Sequence, residues 1–115
     1  MYALNFYSPI VAEQLRSGRK TATIRLGDKS AKYRKGMVVQ VLCGVRFGAR
    51  ERVFEAVIDK VDVKSLAELS PREIEHDNPE IRRTEDMASF LSQLYNRDVT
   101  PDDTVTVIRF SQIKG

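Results

Sequence analysis

The sequence contains few of the residues that form disulfides, metal sites or membrane spans. Cys43 is the only cysteine, so no disulfide can form within the chain, and its apolar surroundings predict a small core residue. His76 is the only histidine and has no cysteine partner, which argues against a zinc site. No apolar run has the length of a secretory signal or a membrane span. We therefore expect a cytoplasmic protein with no membrane partner, metal or other cofactor.

A glycine-rich phosphate loop and repeated strand–helix–strand units are also missing, which argues against a doubly wound parallel sheet. The chain has 115 residues, 42% of them hydrophobic and 30% charged, which suits one domain with one core. Its predicted order is strand, helix, strand, two long strands, two helices and a last strand. Strands near both ends with helices between them predict a small mixed β-barrel of the α+β class, with residues 1–115 as a single domain.

Local signals place these elements along the chain. Ser8 and Pro9 are typical of a helix start, and Gly18 is typical of a helix end. The segment 26–36 is predicted to be a loop, 44–50 a turn, and the region near Lys60 a bulge. A capping box begins a helix at Ser70. Apolar residues then recur at helical spacing in the segment 84–95, which predicts four buried side chains: Met87, Phe90, Leu91 and Leu94.

Charge is distributed unevenly between the two halves of the chain. Residues 1–52 contain 11 lysines and arginines against 3 acidic residues, whereas residues 53–115 contain 8 against 13. The basic half is expected to favour a polyanionic partner such as RNA or a nucleotide.

The basic half also contains the segment 17–25, in which four chemically capable side chains lie close together. Residues 21–25 alternate between polar and apolar, as a strand with one buried face does. Ala22 and Ile24 are expected to face the core, with Thr23 and Arg25 on an exposed face. Lys20 lies at the start of this strand. The pattern predicts a site in which an amine, a hydroxyl and a guanidinium converge.

Gly18, Lys20, Thr23 and Arg25 match the G-x-K-x-x-T-x-R pattern of the ASCH family, and the chain resembles that family over its whole length. The resemblance implies a PUA-like β-barrel fold and an RNA or nucleoside partner. The local sequence is most similar to a small bacterial branch that hydrolyses the amide of N4-acetylcytidine. In that branch the motif Lys and Thr and a later Glu are catalytic, which implies catalytic roles for Lys20 and Thr23.

The acid of that branch has no clean counterpart here, and both Glu75 and Asp77 are candidates. Amide hydrolysis needs a nucleophile, a proton shuttle and a group that binds the developing oxyanion. Thr23 is a candidate nucleophile, with Lys20 as its base if the pKa of Lys20 is lowered. In the alternative, the carboxylate activates water while Lys20 and Arg25 bind the anion.

Four further side chains are predicted to bind the substrate or RNA: Arg19, Arg25, Lys29 and Tyr33. Among the aromatic residues Phe6, Tyr7, Tyr33 and Phe47, Tyr33 is favoured for stacking on a base because it lies in the basic loop. Two further functions remain open: a module that binds RNA through the same residues without chemistry, and a ribonuclease.

Overall fold

A mixed five-stranded sheet, curved into a half-barrel, organises the fold, and the helices pack around it. The computed structural model describes residues 2–44 and 48–114. The elements in chain order are β1 (Tyr2–Phe6), α1 (Pro9–Arg16), β2 (Ala22–Leu26), β3 (Val38–Gly44), β4 (Arg50–Ser65), a 3₁₀ turn (Leu66–Glu68), α2 (Pro71–Asp77), α3 (Thr84–Tyr95) and β5 (Thr104–Gln112).

The strands lie in the order β1-β3-β4-β5-β2, so β1 and β2 form the two edges of the sheet. β1 is parallel to β3, and the other neighbouring pairs are antiparallel. The predicted α+β class and mixed sheet are confirmed, and the predicted barrel takes the form of a half-barrel.

The helices begin and end at the predicted signals. Ser8 is at the N-cap position of α1, although its side chain makes no capping hydrogen bond, and Pro9 is the first residue of the helix. Gly18 follows the helix with φ +78°, a left-handed conformation that glycine adopts without steric strain. The capping box of α2 is present, because Ser70 Oγ accepts the Glu73 N–H and Glu73 Oε1 accepts the Ser70 N–H.

The long strand β4 bends so that it pairs with two different strands. Its first half pairs with β3, and its second half pairs with β5. The register with β5 shifts between Ile58 and Lys60, which confirms the bulge predicted near Lys60. The turn predicted at 44–50 is described only in part, because residues 45–47 lie outside the described ranges.

Two apolar cores lie on opposite faces of β5. Ile108 and Phe110 enter the core that contains α1, β1 and β3. Val105 and Val107 enter the core formed with α2 and α3. The neighbouring edge strand β2 is paired in register with β5, so its residues also alternate between the two cores.

Two predicted environments are wrong. Tyr33 lies in the loop that follows β2, but its ring is buried in the core and its hydroxyl donates to the Ala3 carbonyl at 2.8 Å. In α3, Met87 and Leu91 are buried and Phe90 is half-buried, whereas Leu94 is 55% exposed. The helix therefore buries a narrower stripe than its apolar periodicity predicted. In the described ranges, no helix is long and apolar enough to cross a membrane.

Candidate functional site

The end of α1 turns Lys20 into the protein. The N–H groups of Arg19 and Lys20 both donate to the Gln14 carbonyl, at 3.0 and 3.1 Å. With Gly18 in its left-handed conformation, these bonds reverse the chain direction before β2 begins. The Lys20 side chain consequently points inward and is 5% exposed.

Inside the protein, Lys20 meets the last residue of α2. Its ammonium nitrogen Nζ lies 2.9 Å from Asp77 Oδ1 and 2.6 Å from the Asp77 carbonyl oxygen. Asp77 Oδ1 also accepts the backbone N–H of Ile24 at 2.9 Å, and Asp77 is 5% exposed. The Asp77 carboxylate therefore connects the end of α2 to Lys20, which precedes β2, and to Ile24, which lies within β2.

Burial sets the proton affinity of Lys20. Desolvation lowers the pKa of its ammonium below the usual value, because a charge is costly to hold away from water. The charge of Asp77 and its hydrogen bond act in the opposite direction, and the positive charge of Arg25 adds to the lowering. The net shift is downward, which makes the neutral amine more accessible than in a lysine on the surface.

Arg25 connects the hydroxyl of the motif to the opposite edge of the sheet. Its Nε donates to Thr23 Oγ1 at 3.0 Å, and its Nη2 donates to the Asn5 carbonyl at 3.0 Å. Since Asn5 belongs to β1 and Arg25 to β2, the guanidinium bridges the two edge strands of the half-barrel. Asn5 Oδ1 in turn accepts from Arg50 Nη1 at 2.9 Å.

An aromatic ring lies beneath both cations. The centroid of the Phe6 ring is 5.3 Å from Lys20 Nζ and 4.9 Å from Arg25 Cζ. Both distances lie within the range of cation–π attraction. Lys20, Thr23, Arg25 and Asp77 thus form one cluster over Phe6.

A cavity of about 490 Å³ adjoins this cluster, and we call it the Lys20 cavity. Lys20 and Thr21 line it near the motif, and Phe54 and Phe110 provide aromatic surface. Its volume lies within the range of sites for small molecules. Among the described residues, no group of three or more His, Cys, Asp or Glu side chains could hold a metal ion.

No protein-family model matches the sequence, and no curated protein matches it significantly. Solved structures match almost the whole chain. An ASCH domain from Lactobacillus crispatus JV V101 has a TM-score of 0.66 at 13% identity, covering 96% of this chain and 80% of that one. This chain has an ASCH-like fold. Protein EF3133 from Enterococcus faecalis V583, described by the family model DUF984, has a TM-score of 0.70 at 17% identity, covering 98% and 82%. Protein PF0455 from Pyrococcus furiosus has a TM-score of 0.60 at 15% identity, covering both chains fully.

Of the residues predicted for the site of this ASCH-like domain, Lys20, Thr23 and Arg25 lie together. Of the two candidate acids, Asp77 contacts Lys20, whereas Glu75 is exposed. The prediction that Thr23 lies on an exposed face is wrong, since Thr23 is only 3% exposed. Thr23 is paired with Ile108 of β5, which belongs to the core on the α1 side, whereas Ile24 is buried in the other core.

The predicted binding residues are more dispersed. Arg19 is exposed and forms an ion pair with Glu13 at 2.6 Å. Lys29 is exposed, and its backbone N–H donates to Thr106 Oγ1 at 2.8 Å. Tyr33 is buried, so the prediction that its ring stacks on a base is wrong.

Sequence reasoning missed three residues near the cluster. Asn5 and Phe54 lie in strand patterns that mark them only as strand residues. Gln14 lies on α1, where a polar side chain predicts exposure, yet it is 2% exposed. Its Nε2 faces Asn78 Oδ1 at 3.4 Å, and its Oε1 is buried with no hydrogen-bond partner among the described residues.

Proposed function

We propose that this ASCH-like domain hydrolyses the N4-acyl amide of a modified cytidine such as N4-acetylcytidine. The observation that carries the proposal is the buried Lys20–Asp77 pair, which holds an amine of lowered pKa over the same Phe6 ring as Arg25, the residue that donates to the motif threonine. General bases act best when their pKa lies near the working pH, and burial moves a lysine in that direction.

In this proposal, Thr23 is the nucleophile. The Arg25 Nε–H donates to Thr23 Oγ1, and a donated hydrogen bond favours the alkoxide over the alcohol. Thr23 Oγ1 attacks the acyl carbonyl carbon while its proton passes to the neutral Lys20 amine. The bond from carbon to N4 then breaks, N4 takes the proton from Lys20, and cytidine leaves. Water hydrolyses the acyl ester, releasing acetate and restoring the Thr23 hydroxyl.

We assign Asp77 to positioning rather than to the activation of water. Its Oδ1 already accepts from both Lys20 Nζ and the Ile24 N–H, so it holds the amine against the start of β2. The low exposure of Lys20 and Thr23 also limits the substrate. Lys20 lines the Lys20 cavity and Thr23 does not, so in this proposal the pyrimidine occupies the cavity beside Phe54 and only a small acyl group passes Lys20 toward the buried Thr23.

The test is release of acetate from N4-acetylcytidine by the purified protein, followed by proton NMR. Thr23→Val and Lys20→Met are each expected to abolish release. Glu75→Gln is the matched control for the acid, because Glu75 is exposed on the same helix as Asp77. Full loss in Glu75→Gln, with activity retained in Asp77→Asn, would contradict the assignment.

A second candidate is RNA binding without chemistry. The burial of the Lys20–Asp77 ion pair favours this candidate as well. Both residues are 5% exposed and bonded to the backbone at Asp77 and Ile24, so the pair can serve only to order a binding surface. Binding of RNA that weakens with salt, together with an intact acetylated nucleoside, would select this candidate.

A further inference from the structure

A second groove lies between α2 and the paired strands β4 and β5. It encloses about 280 Å³ and adjoins the core on the α2 side of the sheet. We call it the Arg72–Arg109 groove. Its charged and titratable lining consists mostly of basic residues: Lys60, Lys64, Arg72, Glu73, His76 and Arg109.

Ion pairs neutralise the two lysines of this groove. Lys64 Nζ lies 3.0 and 3.2 Å from the two carboxylate oxygens of Glu73, and its pKa is raised by that hydrogen bond. Lys60 Nζ lies 3.2 Å from Asp62 Oδ2. Glu73, which lines the groove, and Asp62, which lies near Lys60 on β4, are therefore already engaged with lysines.

The two arginines differ from the lysines. Across residues 2–44 and 48–114, neither Arg72 nor Arg109 has a carboxylate within salt-bridge distance, and both are exposed. Each guanidinium presents a planar fork of donors, which matches the oxygens of a phosphate group. Among the described residues, the groove thus offers two positive charges without carboxylate partners, one from α2 and one from β5.

The groove lies next to the Lys20 cavity. His76 and Arg109 line both spaces, so a ligand that is longer than one nucleotide can contact both. His76 is held at this junction because its carbonyl accepts the Thr21 N–H at 3.0 Å.

We propose that the Arg72–Arg109 groove binds phosphodiester groups of a single-stranded RNA whose modified cytidine occupies the Lys20 cavity. The inference rests on the proposed function, since it names the polymer in which that nucleoside is recognised. A strand rather than a duplex is required because a stacked, paired base cannot enter a cavity beside a buried lysine. The phosphates next to the cytidine then reach Arg72 and Arg109.

The experiment compares two double variants that remove the same amount of charge. Arg72→Gln/Arg109→Gln alters the groove. Arg34→Gln/Arg82→Gln removes two exposed arginines that do not line either cavity. The probe is a fluorescent ten-nucleotide RNA that contains one N4-acetylcytidine, and anisotropy is measured across a salt series.

The groove variant is expected to bind about tenfold more weakly at moderate salt. The slope of log K against log salt concentration should fall by about 0.7 for each phosphate that is no longer bound, or about 1.4 for both arginines. Affinity and slope equal to those of the control variant would overturn the proposal. So would equally tight binding of the RNA in a duplex.

A kinetic measurement separates this proposal from the proposed function. The ratio of kcat/KM for the RNA to kcat/KM for free N4-acetylcytidine is expected to fall about tenfold in the groove variant and to stay unchanged in the control. An unchanged ratio with normal turnover would overturn the groove and leave the hydrolase intact. Weaker RNA binding in the groove variant, with no acetate released by any form, would overturn the hydrolase and leave the groove.

Discussion

Removing the charge of Lys20 tests the buried pair most directly. Lys20→Met keeps an unbranched side chain of similar length but leaves the Asp77 carboxylate buried, and Oδ1 then retains only the Ile24 N–H of its two donors. Breaking a buried ion pair by removing one partner costs about 3–5 kcal/mol, because the other charge stays away from water. We expect this loss of stability for Lys20→Met, and a loss of similar size for Asp77→Asn.

The double variant Lys20→Met/Asp77→Asn should be more stable than either single variant. No buried charge is then left without its partner, and the asparagine side chain introduced at position 77 retains an oxygen for the Ile24 N–H. The coupling free energy in the double-mutant cycle is therefore expected to exceed about 3 kcal/mol. Urea unfolding with a constant m-value measures all four free energies. Additive losses, or a Lys20→Met variant within about 1 kcal/mol of wild type, would refute this account of the pair.

The same double variant separates the fold from the chemistry. If the pair only stabilises the protein, a folded double variant should bind RNA like the wild type. If Lys20 is a base, the folded double variant should release no acetate, although its free energy of unfolding is largely restored.

Burial and hydrogen bonding lead to four more expected outcomes. Leu91→Ala should lower the free energy of unfolding by about 2–5 kcal/mol, because the Leu91 side chain is fully buried. Leu94→Ala should change it by less than about 0.5 kcal/mol, because Leu94 is 55% exposed, and the urea midpoints of the two variants test this difference. Gln14→Met removes a buried oxygen that has no partner in the described residues, so stability should stay within about 1 kcal/mol; a larger loss on thermal unfolding would show that Gln14 is satisfied in solution. Arg25→Lys keeps the charge but cannot form both hydrogen bonds of the guanidinium, so it should cost about 1–3 kcal/mol by calorimetry, and an unchanged melting temperature would contradict the bridge. The pKa of Lys20 is lowered in the folded protein, so between that pKa and about pH 10.4 the unfolded chain binds more protons than the folded one. The free energy of unfolding of the wild type, relative to that of the Lys20→Met/Asp77→Asn variant, should therefore rise with pH in this window. A fall would mean that the pKa of Lys20 is raised in the folded protein.

Short-range signals in the sequence predicted the elements well. Pro9, Gly18 and Ser70 act through backbone geometry and hydrogen bonds within a few residues, so their effect does not depend on the rest of the fold. The bulge at Lys60 was visible because the alternation of apolar residues breaks there. Tyr33 could not be placed in the same way, because its burial depends on the Ala3 carbonyl of a distant strand.

The residues that come together at the candidate site were predictable, but their environment was not. The motif identified Lys20, Thr23 and Arg25, but an alternating strand pattern implies one buried face, and β2 is covered on both faces around Thr23. The choice between Glu75 and Asp77 also needed the structure, because it depends on the angle at which α2 ends beside β2. Only Asp77 reaches Lys20.

Net charge does not describe how charge is distributed within the second half of the chain. Residues 53–115 contain more acids than bases, and only the basic half was expected to favour a polyanion. In the structure, Glu73 and Asp62 contact Lys64 and Lys60, and these local pairs leave Arg72 and Arg109 without carboxylate partners in the described chain. A local excess of positive charge can therefore exist within an acidic segment, because the acids that lie near these arginines are paired with lysines and the other acids lie elsewhere in the segment.

The position of Arg25 links the stability of the half-barrel to its candidate chemistry. The sheet has two edges, and the guanidinium bonds the β1 backbone at Asn5 while it donates to Thr23 on β2. Any movement that separates the two edges would also withdraw the donor that favours the Thr23 alkoxide. Substrate contacts that hold β1 against β2 would strengthen both bonds together. The residue that bridges the two edges of the sheet thus also donates to the proposed nucleophile, so any loss of activity in Arg25 variants must be compared with their thermal unfolding before it is assigned to chemistry.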